Sequence, residues 1–250
     1  MQEEVAFVNT VLELHDKFVE DIIHVFRYNA VLYRALNETF VEICNKRVAG
    51  NTSEEFLAKL CDMVLRKGGS SKRLRSDEIE GILENVTKFL KYVNDKDLFG
   101  EFYRTKLAGR LLYDKSTDNA HELSMLLKLK QQIGNQLTSK MESMVKDMLQ
   151  AEVNQASFKA YLTNNPNIHP GISLDVRVLN FTFWPPFKSS EPSLPLEMSK
   201  CVNTFKEFYS TYNQHRKLTW LYSTGTCNVI GKFQADQIEM VVTTSYAILL

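Results

Sequence analysis

Asp21 and His24 stand three residues apart, with Glu20 one turn ahead of the histidine. On a helix such acidic and imidazole side chains share a face, which is how helical bundles hold metal ions. A metal bundle needs a second acidic–histidine pair on another helix, and none is suitably placed; His24 therefore reads as a surface or structural residue. His121, His169 and His215 stand in no Cys or Ser arrangement that specifies a nucleophile. The run "KGGSSK", residues 67–72, lacks the glycine-to-Lys-Ser/Thr spacing of a phosphate loop and follows a helical pattern where such a loop follows a strand. Cys44, Cys61, Cys201 and Cys227 form no CxxC pair, so zinc or dithiol chemistry has no framework, and reduced, mostly buried thiols are expected. No catalysis, cofactor or metal is expected.

Polyanion binding is the next chemistry to weigh. Arg66, Lys67, Lys72, Arg73 and Arg75 cluster in one stretch, which makes nucleic-acid binding through residues 66–75 an alternative reading of a different class. The stretch has no aromatic residue for stacking bases, so a solvated loop is the plainer expectation. Thirty basic and thirty acidic residues cancel, leaving no global field to draw the chain to nucleic acid or anionic lipid. "MQEEVAF" is acidic where a signal peptide is basic, and no apolar run approaches the roughly 18 residues needed to cross a bilayer. The expected compartment is the cytoplasm or nucleus, with neither a membrane nor nucleic acid as partner. Asn37 to Thr39 and Asn85 to Thr87 match N-x-S/T but lie in helical patterns and read as chance.

The elements that would position any site change character near residue 164. With 44% hydrophobic residues in 250, the chain can bury roughly 70–75% of its unfolded surface in one large or two smaller domains. Val8, Val11, Leu12, His15, Phe18, Val19, Ile22, Ile23 and Phe26 recur at helical spacing as one apolar stripe. "RALNETFVEICNK" continues as a second helix. Thr52 and Glu55 form a capping box for a third, "SEEFLAKLCDMVL". Gly68 to Ser71 mark a mobile loop, and Ser76 is expected to cap the helix that opens with Asp77 and Glu78. Further helices, "HELSMLLKLKQQI" and "KMESMVKDMLQ", are divided near Gly134 and Asn135. Residues 1–163 are thus expected to form a helical bundle.

Residues 164–250 read as a small α+β unit. "NNPNIHPGISLD" is a turn or linker, and "DVRVLNF" alternates like a strand. A helix is expected from about Pro195 to Tyr212, with Pro195 in the first turn and Cys201, Phe205, Phe208 and Tyr212 on one side. "KLTWLYS" and "CNVIGKF" then read as strands of a hairpin joined across "TGT", and "QIEMVVTTS" as one more strand. The fold class is therefore mostly α with a short mixed or antiparallel sheet, and so few strands should leave an edge open. The apolar "YAILL" ends without a cap or charged tail, so it either folds into a core or has lost what covered it.

"KDLFGEFYRTKLAGRLL", residues 96–112, joins aromatic, basic and aliphatic side chains. As a helix it places Phe99, Tyr103, Leu107 and Leu111 four apart, with Leu98, Phe102 and Leu112 beside them, while Arg104, Lys106 and Arg110 fall largely elsewhere. Asp95, Asp97 and Glu101 dilute its positive charge, so a core bundle helix is expected over a lipid-surface helix.

With Asp95 in front, this run resembles the signature of the cullin family, the elongated scaffolds of ubiquitin ligases. "KLKQQIGNQLTSKMESMVKDM", "VLNFTFWP" and "RKLTWLYSTGTCNVIGKF" resemble further blocks of the family in the same order, and the wording looks like that of plant cullins serving F-box ligases. Gly109 departs from a usually basic position and Ile133 from a common Cys. Glycine in a helix costs about 0.5–1 kcal/mol relative to alanine, so Gly100 and Gly109 should weaken theirs.

The resemblance implies a partial cullin. Only the tail of the adaptor-binding repeats would be represented, so no substrate adaptor is expected. The stop at "SYAILL" falls about where the winged-helix region carrying the modification lysine would start, which implies truncation. The α/β segment is where cullins hold a RING-box protein by adding its strand to their sheet, the physical logic of β-augmentation. By resemblance that strand would meet Val176, Val178, Trp184, Leu218, Trp220 and Tyr222, although tryptophans of this kind are more often core. The expected function is a non-catalytic scaffold fragment in ubiquitin-dependent protein turnover. A degenerate paralogue that competes with complete cullins, or is inactive, is the alternative within the same class.

Overall fold

The computed structural model describes residues 2–48, 50–68, 74–113, 116, 119–168, 170–187, 191–232 and 237–250. It is mostly α with one small antiparallel sheet. Two compact units divide the chain, Met1–Lys146 with Asn180–Pro185, and Asp147–Leu179 with Pro186–Leu250.

In the first unit, α1 (Gln2–His24) buries Val8, Leu12 and Ile22. Its stripe is only partly covered: Phe18 is half-exposed, and Phe26 lies beyond the end of the helix. The chain leaves α1 through Arg27 and Tyr28 at φ 49° and 61°, a left-handed bend rare for side-chain-bearing residues. Asn29 then caps α2 (Ala30–Cys44), its side-chain oxygen accepting from the N–H groups of Val31 and Leu32.

The core of this unit is α3 (Ser53–Leu65), where Leu57, Ala58, Leu60, Cys61, Val64 and Leu65 are fully buried. Thr52 caps it as the sequence pattern requires, accepting from the Glu55 N–H at 3.4 Å. For α4 (Ser76–Leu90) the expected cap is displaced by one residue. Arg75 occupies the cap because its N–H donates to Glu78 Oε2 at 2.8 Å, which leaves the Ser76 hydroxyl for a tertiary contact.

Asp95 caps α5 (Lys96–Leu112), accepting from the Leu98 N–H at 2.8 Å. Phe99, Tyr103, Leu107 and Leu111 are buried as their spacing predicts, whereas Leu98 is exposed. Helices α6 (Asn119–Ile133) and α7 (Asn135–Asn164) are separated by Gly134 at φ 79°, a conformation glycine adopts without a Cβ penalty. Gly100 has a packing reason: a Cβ there would lie 3.0 Å from Leu137 Cδ1 and 3.4 Å from Ile133 Cδ1. Gly109 faces open space, so the departure noted there is sterically free.

In the second unit, α8 (Leu196–Tyr212) buries Cys201, Val202, Phe205, Phe208 and Tyr209. Pro195 is its cap, not its first-turn residue, and Tyr212 is mostly exposed, because Tyr209 takes the core position at the last turn. Strands β1 (Thr226–Lys232) and β2 (Gln237–Thr243) pair antiparallel from Thr226 opposite Thr243 to Lys232 opposite Gln237. A short α9 (Thr244–Leu249) follows, leaving Tyr246, Leu249 and Leu250 exposed.

Two strand expectations need correction. "KLTWLYS" forms no strand: residues 217–221 carry no regular structure and Tyr222–Thr224 form a 3-10 turn. Strand β1 pairs instead with "QIEMVVT", so "TGT" does not join two paired strands. "DVRVLNF" is likewise outside any strand. In both segments the alternating apolar side chains are met by an aromatic helix face, and side-chain docking there does not require a neighbouring strand.

Candidate partner-binding site

The second unit is organised around Phe158 of α7 and Phe205, Phe208 and Tyr209 of α8, all buried. Phe158 meets Phe205 edge-on at 5.0 Å between ring centroids, and Phe208 at 5.2 Å, within the range in which aromatic pairs attract. Val176, Val178, Leu218 and Trp220, four of the six residues named from sequence, pack against this cluster and are each half-buried. Trp220 stands edge-on to Phe205 at 6.0 Å, and the fifth residue, Tyr222, stacks on Trp220 at 6.3 Å with 16° between the rings. The sixth, Trp184, is buried at 3% exposure within the Asn180–Pro185 segment of the other compact unit.

The site has main-chain and polar features as well. Among the described residues the sheet holds two strands, so each strand presents one side of its backbone away from its partner. Its outward face carries the exposed Ile230 and Val241. The indole Nε1 of Trp220 is buried without a hydrogen-bond partner among the described residues, a condition that costs about 1–3 kcal/mol. Burial, reinforced by Glu191, pushes the Tyr222 phenol above its ordinary range and keeps it neutral. Cys201 donates to the Pro170 carbonyl at 2.9 Å, a structural tie from α8 to the segment that leads towards Leu174.

The most concentrated charge lies in the first unit and was missed from sequence. Arg110 is fully buried. Its Nε and Nη2 donate to the two carboxylate oxygens of Glu122 at 2.6 and 2.9 Å, and its Nη1 donates to Asp62 at 2.9 Å. Tyr103 and Ser116 hydroxyls donate to the same Glu122 carboxylate, and the guanidinium lies 5.4 Å from the Tyr103 ring centroid. Burial opposes the Arg110 charge, but Glu122 and Asp62 outweigh it and hold the guanidinium more firmly protonated than usual. Burial likewise pushes the Cys61 thiol up to about 12, so it stays an inert thiol. A signal for Arg110 existed: it lies three residues after Leu107 and seven after Tyr103, on the buried face.

His121 also departs from expectation. Its Nε2 lies 3.2 Å from the Ser76 hydroxyl and its Nδ1 2.9 Å from Glu80 Oε1, the order of a serine–histidine–carboxylate relay. Glu80 also accepts from Ser124 and Lys128, at 2.8 and 2.7 Å. Burial raises the Glu80 carboxyl, yet Lys128, His121 and Ser124 together overcome that and hold it at about 2. With its oxygens shared among three donors, Glu80 anchors an interhelical clamp between α4 and α6.

Other sequence candidates are dispersed. His24 and His215 are exposed, and His169 lies outside the described residues. Among the described residues no group of three or more His, Cys, Asp or Glu side chains could hold a metal ion, and no helix is long and apolar enough to cross a membrane. In the basic stretch Arg66 bridges to Asp62, and Arg75 faces Asp77 and Glu78; Gly69 to Arg73 lie outside the described residues.

A helical array followed by a small α+β unit is the class of protein this architecture defines. The profile of the Cullin alpha solenoid domain matches residues 1–154, and that of the Cullin alpha+beta domain matches residues 178–250. The chain belongs to the cullin family. It is 52% identical to Cullin-1 of Oryza sativa subsp. japonica over 250 residues, 100% of this chain and 33% of that protein. It is 43% identical to Cullin-2 of Arabidopsis thaliana, over 99% of this chain and 33% of that protein. Against human Cullin-4A the identity is 33%, over 100% of this chain and 32% of that protein. The chain thus spans about a third of the length of these curated relatives.

Proposed function

We propose that this chain is a non-catalytic cullin-type scaffold segment whose α+β unit binds a RING-box protein by β-augmentation, within a ubiquitin-ligase pathway of the cytoplasm or nucleus. The observation that carries the reading is the two-stranded β1–β2 sheet in the same unit as Val176, Val178, Leu218, Trp220 and Tyr222 gathered on one aromatic core. A visiting strand would satisfy main-chain groups along an open edge, and the apolar side chains beside it would select its residues. Trp184, the sixth residue named from sequence, is buried in the other compact unit. The buried Arg110 network serves by fixing α5 between carboxylates from α3 and α6. No substrate adaptor, nucleic acid or membrane is required.

The test is retention of purified RING-box protein by the chain, followed by hydrogen exchange of the complex. New protection of β1 or β2 amides is expected, because an added strand removes them from solvent. Replacing Leu218, Trp220 and Tyr222 together by charged residues should abolish retention. Retention with unchanged exchange across the second unit would refute strand addition, since binding would then lie elsewhere.

A further inference from the structure

Gln155 lies on α7 three residues before Phe158 and seven before Leu162, so its half-buried amide points from the stripe that builds the aromatic core. Its Nε2 donates to the Leu174 carbonyl at 2.8 Å, and its Oε1 accepts from the Val176 N–H at 3.2 Å. A primary amide carries the donor and the acceptor of a peptide group. In a strand, the groups of residues i and i+2 leave the same edge, and a neighbouring strand bonds to just such a pair. Gln155 thus occupies the place of a ladder partner on the edge formed by Leu174 and Val176.

We infer that Gln155 is a positioning residue for the incoming strand, an inference that rests on the strand-addition reading above. It has two effects. The clamp closes the even-numbered edge of the segment, which leaves an incoming strand the β1–β2 edge of the same unit. It also holds Val176 and Val178 against the aromatic core before the partner arrives, so the segment need not be ordered during association. Removing the clamp lowers the binding-competent fraction, and apparent affinity falls by the same factor.

The experiment measures association and dissociation rates of purified RING-box protein on the unmodified chain, Gln155→Ala and Gln155→Glu. Loss of one neutral hydrogen bond corresponds to about fivefold in an equilibrium constant, and Gln155→Ala removes two. Gln155→Ala should therefore bind about 25-fold more weakly, through slower association at an unchanged dissociation rate. Gln155→Glu keeps the acceptor for Val176 but sets an oxygen against the Leu174 carbonyl, and should weaken binding at least as much. In the free Gln155→Ala chain the Val176 amide should exchange faster while amides of α8 keep their protection. A merely structural glutamine would instead raise exchange across the whole second unit and lower the melting temperature. Gln155→Ala binding at the unmodified rates overturns the inference and leaves strand addition standing. Failure of the unmodified chain to bind removes both.

Discussion

Arg110→Met keeps an aliphatic stem of similar reach and deletes the one cation that Asp62 and Glu122 share inside the first unit. Asp62 retains Arg66, whose Nη2 lies 2.8 Å away at a half-exposed position. Among the described residues Glu122, at 1% exposure, retains the Tyr103 and Ser116 hydroxyls. Breaking a buried ion pair from one side costs about 3–5 kcal/mol, because the surviving charge stays desolvated. At about 2–4 °C per kcal/mol for a protein of this size, the melting temperature should fall by roughly 10 °C. Trp184 lies in the affected unit and Trp220 in the other, so a Trp220→Phe background leaves one fluorescent reporter for urea unfolding of the first unit. Arg110→Met with Glu122→Gln should recover a large part of the loss, since the neutral amide still meets both hydroxyls. A loss below about 1 kcal/mol, the scale of a surface pair, would refute the reasoning.

Other variants test neighbouring claims. Glu80→Gln should lower stability at neutral pH. A carboxylate held below its ordinary value of 4.5 contributes stability above that value and loses it as pH falls towards about 2, so the gap between variant and unmodified chain should close over that window in acid-unfolding curves. Gly109→Ala, into open space, should stabilise α5 by about 0.5–1 kcal/mol. Gly100→Ala, against Leu137 and Ile133, should fail to give that gain; parallel urea titrations decide both.

Much of this protein is legible along the chain. Helical periodicity placed Phe99, Tyr103, Leu107 and Leu111 on a buried face, Thr52 and Glu55 marked the start of α3, and Gly134 marked the break between α6 and α7. Each signal is local, because a helix satisfies its backbone within a few residues and its caps lie beside it. The ordered cullin motifs are equally local and carried the family. Strand pairing is different. Alternation in "KLTWLYS" and "DVRVLNF" records which side is apolar, but not whether the backbone finds a strand or a helix face, and here α7 and α8 supplied the partner.

Polar tertiary contacts were decided by the fold for the same reason. Arg110 meets Asp62 across 48 positions and Glu122 across 12, and His121 meets Ser76 across 45. Gln155 reaches a backbone 19 residues away. A charged or amide side chain looks the same in sequence whether water or a distant carboxylate receives it. The chain by itself determined its helices, its apolar faces and its family. Only tertiary structure decided which buried charges are matched and which backbone edge is closed, since both depend on groups that meet through space.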